Sequence, residues 1–268
     1  MNARRRAAVI GHPVAHSRSP ALFAQFAAAT GIALAYDAID VAPADLEATL
    51  RRWRADAAFV GCNVTLPHKE RALQLADAVE PAARACGAAN VLTHESDGTL
   101  SAGNTDVAGI ESALVRNGVA LRGARVAILG AGGAARAVAE AARRNGAARI
   151  VVAARDPGRA AVLAREFDGE PAGLDAVPVA DLYVNATPVG MEGQEQRSLL
   201  PPGAAAGAAA FDLVYTPEQT PFVLDARARG LRTITGTAMF TAQAAATFER
   251  WFGVVPPVDA LAASKATE

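Results

Sequence analysis

Cysteine is scarce in this 268-residue chain. Cys62 and Cys86 are the two it has, and they form neither a CxxC pair nor a metal-ligand spacing. A disulfide framework is therefore excluded, no metal is expected, and reduced thiols of a cytoplasmic protein are the implied state. An excess of one charge is lacking too. The 26 Lys+Arg and 27 Asp+Glu leave a net charge of −1, which gives no footprint for nucleic acid and none for an anionic membrane surface. No stretch of about 18 apolar residues runs free of charges and breakers, so no transmembrane helix is expected. The start, Met1 to Arg6, is basic, but Gly11, His12 and Pro13 cut short the apolar run from Ala7 to Ile10. A signal peptide is therefore not expected.

What is present is apolar surface in small units. Hydrophobic residues make up 51% of the chain, enough for one large domain or two modest ones. Much of that is alanine, which favours helix and adds little buried area per residue. Over the first hundred residues strand-like and helix-like pieces alternate. Ala7 to Ile10, Ala35 to Val41 and Phe59 to Thr65 read as strands. A helix to Thr30 opens at Ser19-Pro20, with Ser19 as its cap. Further helices are expected over Ala44 to Arg54 and from Pro67 or His68, and Asp97-Gly98 reads as a hairpin turn between Asn90–Thr93 and Thr99–Ser101.

A second unit is expected after Gly103. Strands at Arg125–Leu129, Arg149–Ala154, Leu182–Ala186 and Ala209–Val214 alternate with helices at Val107–Asn117, after the Gly-rich turn to Asn145, and at Gly158–Phe167. That alternation predicts a parallel sheet with helices on both faces. A long helix over Ala238 to Trp251 follows, and a tail from Pro256 whose end is expected to be mobile.

The stretch Gly130-Ala131-Gly132-Gly133-Ala134-Ala135 sits between an expected strand and an expected helix. Small residues there let backbone approach a pyrophosphate, and the free N–H groups and dipole of the helix start favour its charge. The next strand ends in Ala154-Arg155-Asp156, with Arg159 four residues after Arg155. Arg155 stands where an NAD site carries an acid, and a guanidinium there suits a 2′-phosphate, with Arg159 a second donor. Asp156 keeps the alternative of a free 2′-hydroxyl open.

Four polar clusters fall near strand ends, where open α/β sheets bind ligands: His16–Pro20, Asn63–Lys69, Gly87–Asn90 and Gly103–Asp106. Each has a plain structural reading as cap, turn or surface residue. Together they supply what carbonyl reduction requires. A lysine ammonium donates the proton and stabilises oxyanion charge, and a carboxylate orients it. Lys69 and Asp106 are the lysine and the carboxylate among these clusters.

These stretches resemble the shikimate dehydrogenase family: HSxSP at His16–Pro20, NVTxPxK at Asn63–Lys69, GAxN at Gly87–Asn90, GNTDxxG at Gly103–Gly109 and GAGGAA at Gly130–Ala135. Downstream, Asn185–Met191, Asp212–Pro217 and Gly236–Ala244 resemble it as well, in family order over nearly the whole chain. The resemblance implies an α/β protein with an N-terminal αβ substrate domain, residues 1–103 with 237–268, and a Rossmann-like dinucleotide-binding domain, 104–236, with a cleft between them. It implies NADPH-dependent, reversible reduction of 3-dehydroshikimate to shikimate by a monomer or homodimer.

By the same resemblance Lys69 and Asp106 are catalytic, and Ser17, Ser19, Asn63, Thr65, Asn90, Tyr215 and Gln243 bind substrate. Gly130, Ala131, Gly132, Gly133, Ala134, Arg155, Arg159, Thr187, Met191, Gly236 and Met239 bind cofactor. The chain departs from the family at Phe23 and Ala24, where a His-Asn pair is usual, and at Asp156, where NADP members carry threonine. The rivals are an NAD-dependent quinate/shikimate dehydrogenase and a nucleotide-binding regulatory protein without turnover.

Overall fold

The computed structural model describes residues 5–258. The basic start up to Arg4 and the part of the tail beyond Val258 lie outside the described residues. The chain forms two compact units, one built from the described residues up to Thr105 together with those from Thr241, the other from Asp106 to Phe240.

The first unit runs β1 (Arg5–Gly11), α1 (Ser19–Thr30), β2 (Leu34–Asp40), α2 (Leu46–Arg54), β3 (Phe59–Val64), α3 (Lys69–Leu75), β4 (Ala78–Val79), α4 (Pro81–Cys86), β5 (Val91–His94) and β6 (Leu100–Gly103). Its sheet has the order β2-β1-β3-β5-β6-β4. β1 pairs in parallel with β2 and β3, and β5 is antiparallel to both β3 and β6. The expected hairpin is therefore present, grafted onto a βαβ core.

Every residue of β3 is buried, as a central strand covered on both faces requires. On one side Leu46, Leu50 and Trp53 of α2 pack with Ile10, Phe59, Cys62 and Leu92, and the Trp53 and Phe59 rings stack at 4.5 Å. Cys62 and Cys86 are both free and buried, and burial pushes the Cys62 thiol well above its ordinary range.

One helix start differs from expectation. Arg18, not Ser19, is the N-cap of α1, and no side chain caps it. Ser19 is the first helical residue, with its N–H donating to Ser17 Oγ at 3.3 Å.

After α5 (Thr105–Arg116) the second unit continues with β7 (Arg125–Leu129), α6 (Gly133–Arg144), β8 (Arg149–Ala153), α7 (Pro157–Glu166), β9 (Glu170–Ala172), β10 (Leu182–Asn185), β11 (Ala209–Asp212), α8 (Pro221–Ala228), β12 (Arg232–Ile234) and α9 (Gly236–Phe252). The two unit divisions fall inside α5 and α9, slightly beyond the positions read from sequence.

The second sheet has the order β12-β11-β10-β7-β8-β9, and every pairing in it is parallel. This is a doubly wound sheet whose strand order reverses between β7 and β10. The abundance of alanine has a use here. Ala135, Ala137, Ala139, Ala141 and Ala142 of α6 are fully buried, so the helix lies close on the sheet.

Candidate functional site

The polar clusters of the first unit are joined by hydrogen bonds, motif to motif. Thr65 follows β3, and its N–H donates to Ile10 O at 2.9 Å. The turn it begins is closed by His68 N–H donating to Thr65 O at 2.9 Å. The buried His68 ring has Nε2 2.7 Å from Val41 O, which holds the start of α3 against the end of β2. Lys69 is the first residue of that helix and is half-buried. Its carbonyl accepts from Ala89 N–H at 2.9 Å, which brings the Lys69 backbone to the residue before Asn90.

The Gly87–Asn90 and Gly103–Asp106 stretches are knitted just as tightly. Asn104 Nδ2 donates to Ala88 O at 2.9 Å. Asn90 Oδ1 accepts from Thr105 N–H at 2.7 Å, and Asn90 Nδ2 donates to Thr105 Oγ1 at 3.0 Å. Asp106 is the next residue along, in the first turn of α5, and is only 6% exposed. It is a helical residue and not the cap.

Asn63 and Ser19 enter the same region through a residue that no sequence motif marks. Tyr36 on β2 donates to Asn63 Oδ1 at 2.8 Å, and the Ser19 hydroxyl lies close enough to pull its phenol down against burial. Burial pushes the Tyr36 phenol well above its usual range, so it stays a donor. Phe23, one of the two departures from the family pattern, is fully buried and stacks on the Tyr36 ring at 4.1 Å. Asn63 Nδ2 donates to Thr247 Oγ1 of α9 at 3.2 Å, and the Thr247 and Thr105 hydroxyls lie 3.0 Å apart. Gln243, in the same helix, lies one turn before Thr247. Tyr36 and Thr247 carry no signal as site residues, except that Thr247 follows Gln243 at helical spacing, while Thr105 stands inside the Gly103–Asp106 motif.

In the second unit the glycine-rich turn lies at the strand-order reversal. Gly130 has φ +125°, and a Cβ there would stand 2.8 Å from Ala186 O, so glycine is required twice over. Gly132 is the N-cap of α6, and a Cβ built on it meets nothing within 4 Å. No acidic residue stands in the first turn of α6. A helix start facing open space without a competing carboxylate fits a diphosphate.

Arg155 and Arg159 are exposed beyond the end of β8, and Arg159 Nη2 donates to Ala131 O at 3.4 Å. Asp156 caps α7, its Oδ1 accepting from Gly158 N–H at 2.9 Å and Arg159 N–H at 3.2 Å. The acid that keeps a 2′-hydroxyl reading open thus has a structural task. Thr187 is held by Asn185, with Oγ1 donating to Asn185 Oδ1 at 2.6 Å, and Met191 is partly exposed in the turn that follows. Gly236 starts α9 against backbone: a Cβ there would lie 2.4 Å from Val214 O. Met239 is buried, and Tyr215 stacks on Phe240 at 4.6 Å.

Behind the Asn185 turn lies a buried acid. Asp212 is fully buried and accepts from Asn185 Nδ2 at 2.9 Å, from Val214 N–H at 3.0 Å and from the Thr220 hydroxyl. Burial outweighs these donors and pushes its carboxyl up to about 6. The folded chain therefore holds this proton more tightly than the unfolded chain does. Its contribution to stability is full at pH values below the unfolded carboxylate range and is lost as pH rises to about 6. Asp212→Asn removes the ionisation and keeps an acceptor for Val214 and Asn185. Relative to the parent, the variant gains stability between pH 4 and pH 7, on the order of 2 kcal/mol. Thermal unfolding across that range measures the gain, and a difference that does not change with pH speaks against it.

Comparison with known proteins agrees with this layout. Residues 9–92 match the family described as the shikimate dehydrogenase substrate binding domain. Residues 112–188 match shikimate / quinate 5-dehydrogenase, and residues 236–263 match the shikimate 5′-dehydrogenase C-terminal domain. A protein of Acidiphilium cryptum named shikimate dehydrogenase (NADP(+)) is 42% identical over 264 residues, covering 95% of this chain and 93% of that one.

Among solved structures, the shikimate 5-dehydrogenase of Thermus thermophilus in complex with NADP(H) and shikimate has a TM-score of 0.86 at 40% identity. The match covers 95% of this chain and 96% of that one. The quinate dehydrogenase of Corynebacterium glutamicum in complex with NAD has a TM-score of 0.88 at 30% identity, covering 98% and 99%.

Proposed function

This chain belongs to the shikimate dehydrogenase family, and from that premise we propose that it catalyses the reversible NADPH-dependent reduction of 3-dehydroshikimate to shikimate. The observation that carries the reading is the knitting of three motifs around Asn90. The backbone of Lys69 is bonded to Ala89, the Asn90 side chain is bonded to Thr105, and Asp106 follows directly.

Bound NADPH supplies a hydride to the carbonyl carbon of the ring. The Lys69 ammonium donates a proton to the carbonyl oxygen and stabilises the charge that develops there. Asp106 orients that ammonium and accepts from a ring hydroxyl. Ser17 and Ser19 at the start of α1 receive the substrate carboxylate, and Thr65, Asn90, Gln243 and Tyr215 receive the ring hydroxyls. Gly130 to Ala134 hold the cofactor diphosphate at the start of α6, and Arg155 and Arg159 its 2′-phosphate. Thr187, Met191, Gly236 and Met239 line the nicotinamide end.

The test is reduction of NADP+ and NAD+, followed by absorbance, with shikimate and with quinate. The expected result is a higher kcat/KM for shikimate with NADP+ than for any other pairing. A preference for quinate with NAD+ makes the chain a quinate dehydrogenase. Tight cofactor binding with no oxidation of either acid makes it a regulatory binder. Either result overturns the proposal.

A further inference from the structure

Thr247 touches two of the proposed substrate-binding elements at once. Its side chain is fully buried. On one side its hydroxyl accepts from Asn63 Nδ2 at 3.2 Å, and on the other it meets the Thr105 hydroxyl at 3.0 Å. Thr105 in turn holds both polar atoms of the Asn90 amide, through its N–H and its hydroxyl. Tyr36 extends the chain beyond Asn63. The result is one continuous series of hydrogen bonds: Tyr36, Asn63, Thr247, Thr105, Asn90.

The series is directional. Tyr36 donates to Asn63 Oδ1, which fixes the flip of that amide and turns Nδ2 toward Thr247. Thr105 N–H occupies Asn90 Oδ1, which fixes the flip of the second amide. Thr247 is the link where the two halves meet, and it comes from α9, far away in sequence. Without the link, Asn63 Nδ2 keeps only Asn90 O at 3.5 Å, and the Thr105 hydroxyl keeps only the Asn90 amide. Each is then left with an unmade bond or rotates to find another partner.

We propose that Thr247 is a positioning residue for ring recognition: its hydroxyl ties the Asn63 amide to Thr105, the residue that holds the Asn90 amide, and so keeps the two amides in fixed relation for the hydroxylated ring. This inference rests on the function proposed above. It does not concern hydride transfer, so its effect falls on substrate affinity and not on cofactor affinity.

Thr247→Val keeps the shape and deletes the hydroxyl, and Thr247→Ser keeps the hydroxyl and deletes a methyl. With the parent protein oxidising shikimate, the Val variant is expected to raise KM for shikimate roughly tenfold, with KM for NADP+ within about twofold. The Ser variant is expected to restore the parent KM. Thr247→Ala, which removes the same hydroxyl, is read in the same way and replaces Val if Val does not fold.

A Val or Ala variant with parent KM for shikimate overturns the inference, even if its Tm is lowered. A Ser variant as impaired as Val overturns it too. If both hydroxyl-free variants fail to fold, Thr247 serves stability alone, and the inference is again overturned. A parent protein that does not turn over shikimate marks instead a failure of the proposed function, and Thr247 is then not at issue.

Discussion

Replacing Lys69 with alanine is expected to lower kcat for shikimate oxidation by roughly two to four orders of magnitude, while the Kd for NADP+ stays within about twofold. In the proposed role the Lys69 ammonium acts at the carbonyl oxygen, where charge develops only as hydride arrives, so its loss falls on kcat and not on ground-state binding of the cofactor. Composition sharpens the point. Lys69 and Lys265 are the chain's two lysines, and arginine supplies every other basic side chain apart from histidine. The proposed role passes a proton to the substrate oxygen, which an arginine cannot do because its guanidinium does not deprotonate.

Lys69→Arg is therefore expected to fail nearly as badly as Lys69→Ala, although the charge is kept. Steady-state rates for the two variants, with cofactor binding followed separately by fluorescence, decide it. An arginine variant with half the parent kcat shows that only a positive charge is needed at this place, and the proton-donor role is then lost.

The alternation of strands and helices is legible because the central strands bury both faces. β3, β7 and β8 are short apolar runs, and each stands within a residue or so of where its sequence predicts. What escapes is the periphery. β4, β9 and β12 are two or three residues long and lie at the edges of their sheets, too short to show a period of two. β9 even contains Pro171, which an edge tolerates and a central strand does not. α4 and α8 each begin at a proline and run for six and eight residues, below the length at which a stripe of apolar positions can be told from chance.

The candidate site divides in the same way. Residues proposed to face a ligand fall in contiguous motifs, which sequence shows. Residues that hold them are scattered. Tyr36 reads as a strand residue among alternating neighbours, and Thr247 as one more small residue on an alanine-rich helix. Only the fold brings the first within 2.8 Å and the second within 3.2 Å of Asn63. Asp156 shows the converse. Its position in the motif points to a ribose hydroxyl, and the structure gives it the N–H groups of α7.

That local arrangement makes Arg155 the residue at which the proposed choice of cofactor is tested. Asp156 binds two N–H groups at the positive end of α7, which is where a carboxylate is most favourable, and one of its oxygens is committed there. Arg159 reaches back to the carbonyl of Ala131 in the phosphate-binding turn. Arg155, next to Asp156 in sequence, is exposed. Arg155→Ala is expected to weaken NADP+ binding roughly 10- to 100-fold, the worth of a charge-assisted hydrogen bond to a dianion, and to leave NAD+ binding within about threefold. Asp156→Ser keeps a cap for α7, removes the neighbouring negative charge, and is expected to tighten NADP+ several-fold with NAD+ unchanged. Direct titration of both cofactors against both variants measures this without turnover. Equal losses for NADP+ and NAD+ in the Arg155 variant mean that the guanidinium serves a part common to both cofactors, and the 2′-phosphate then has to be read by Arg159 or by no residue of this loop.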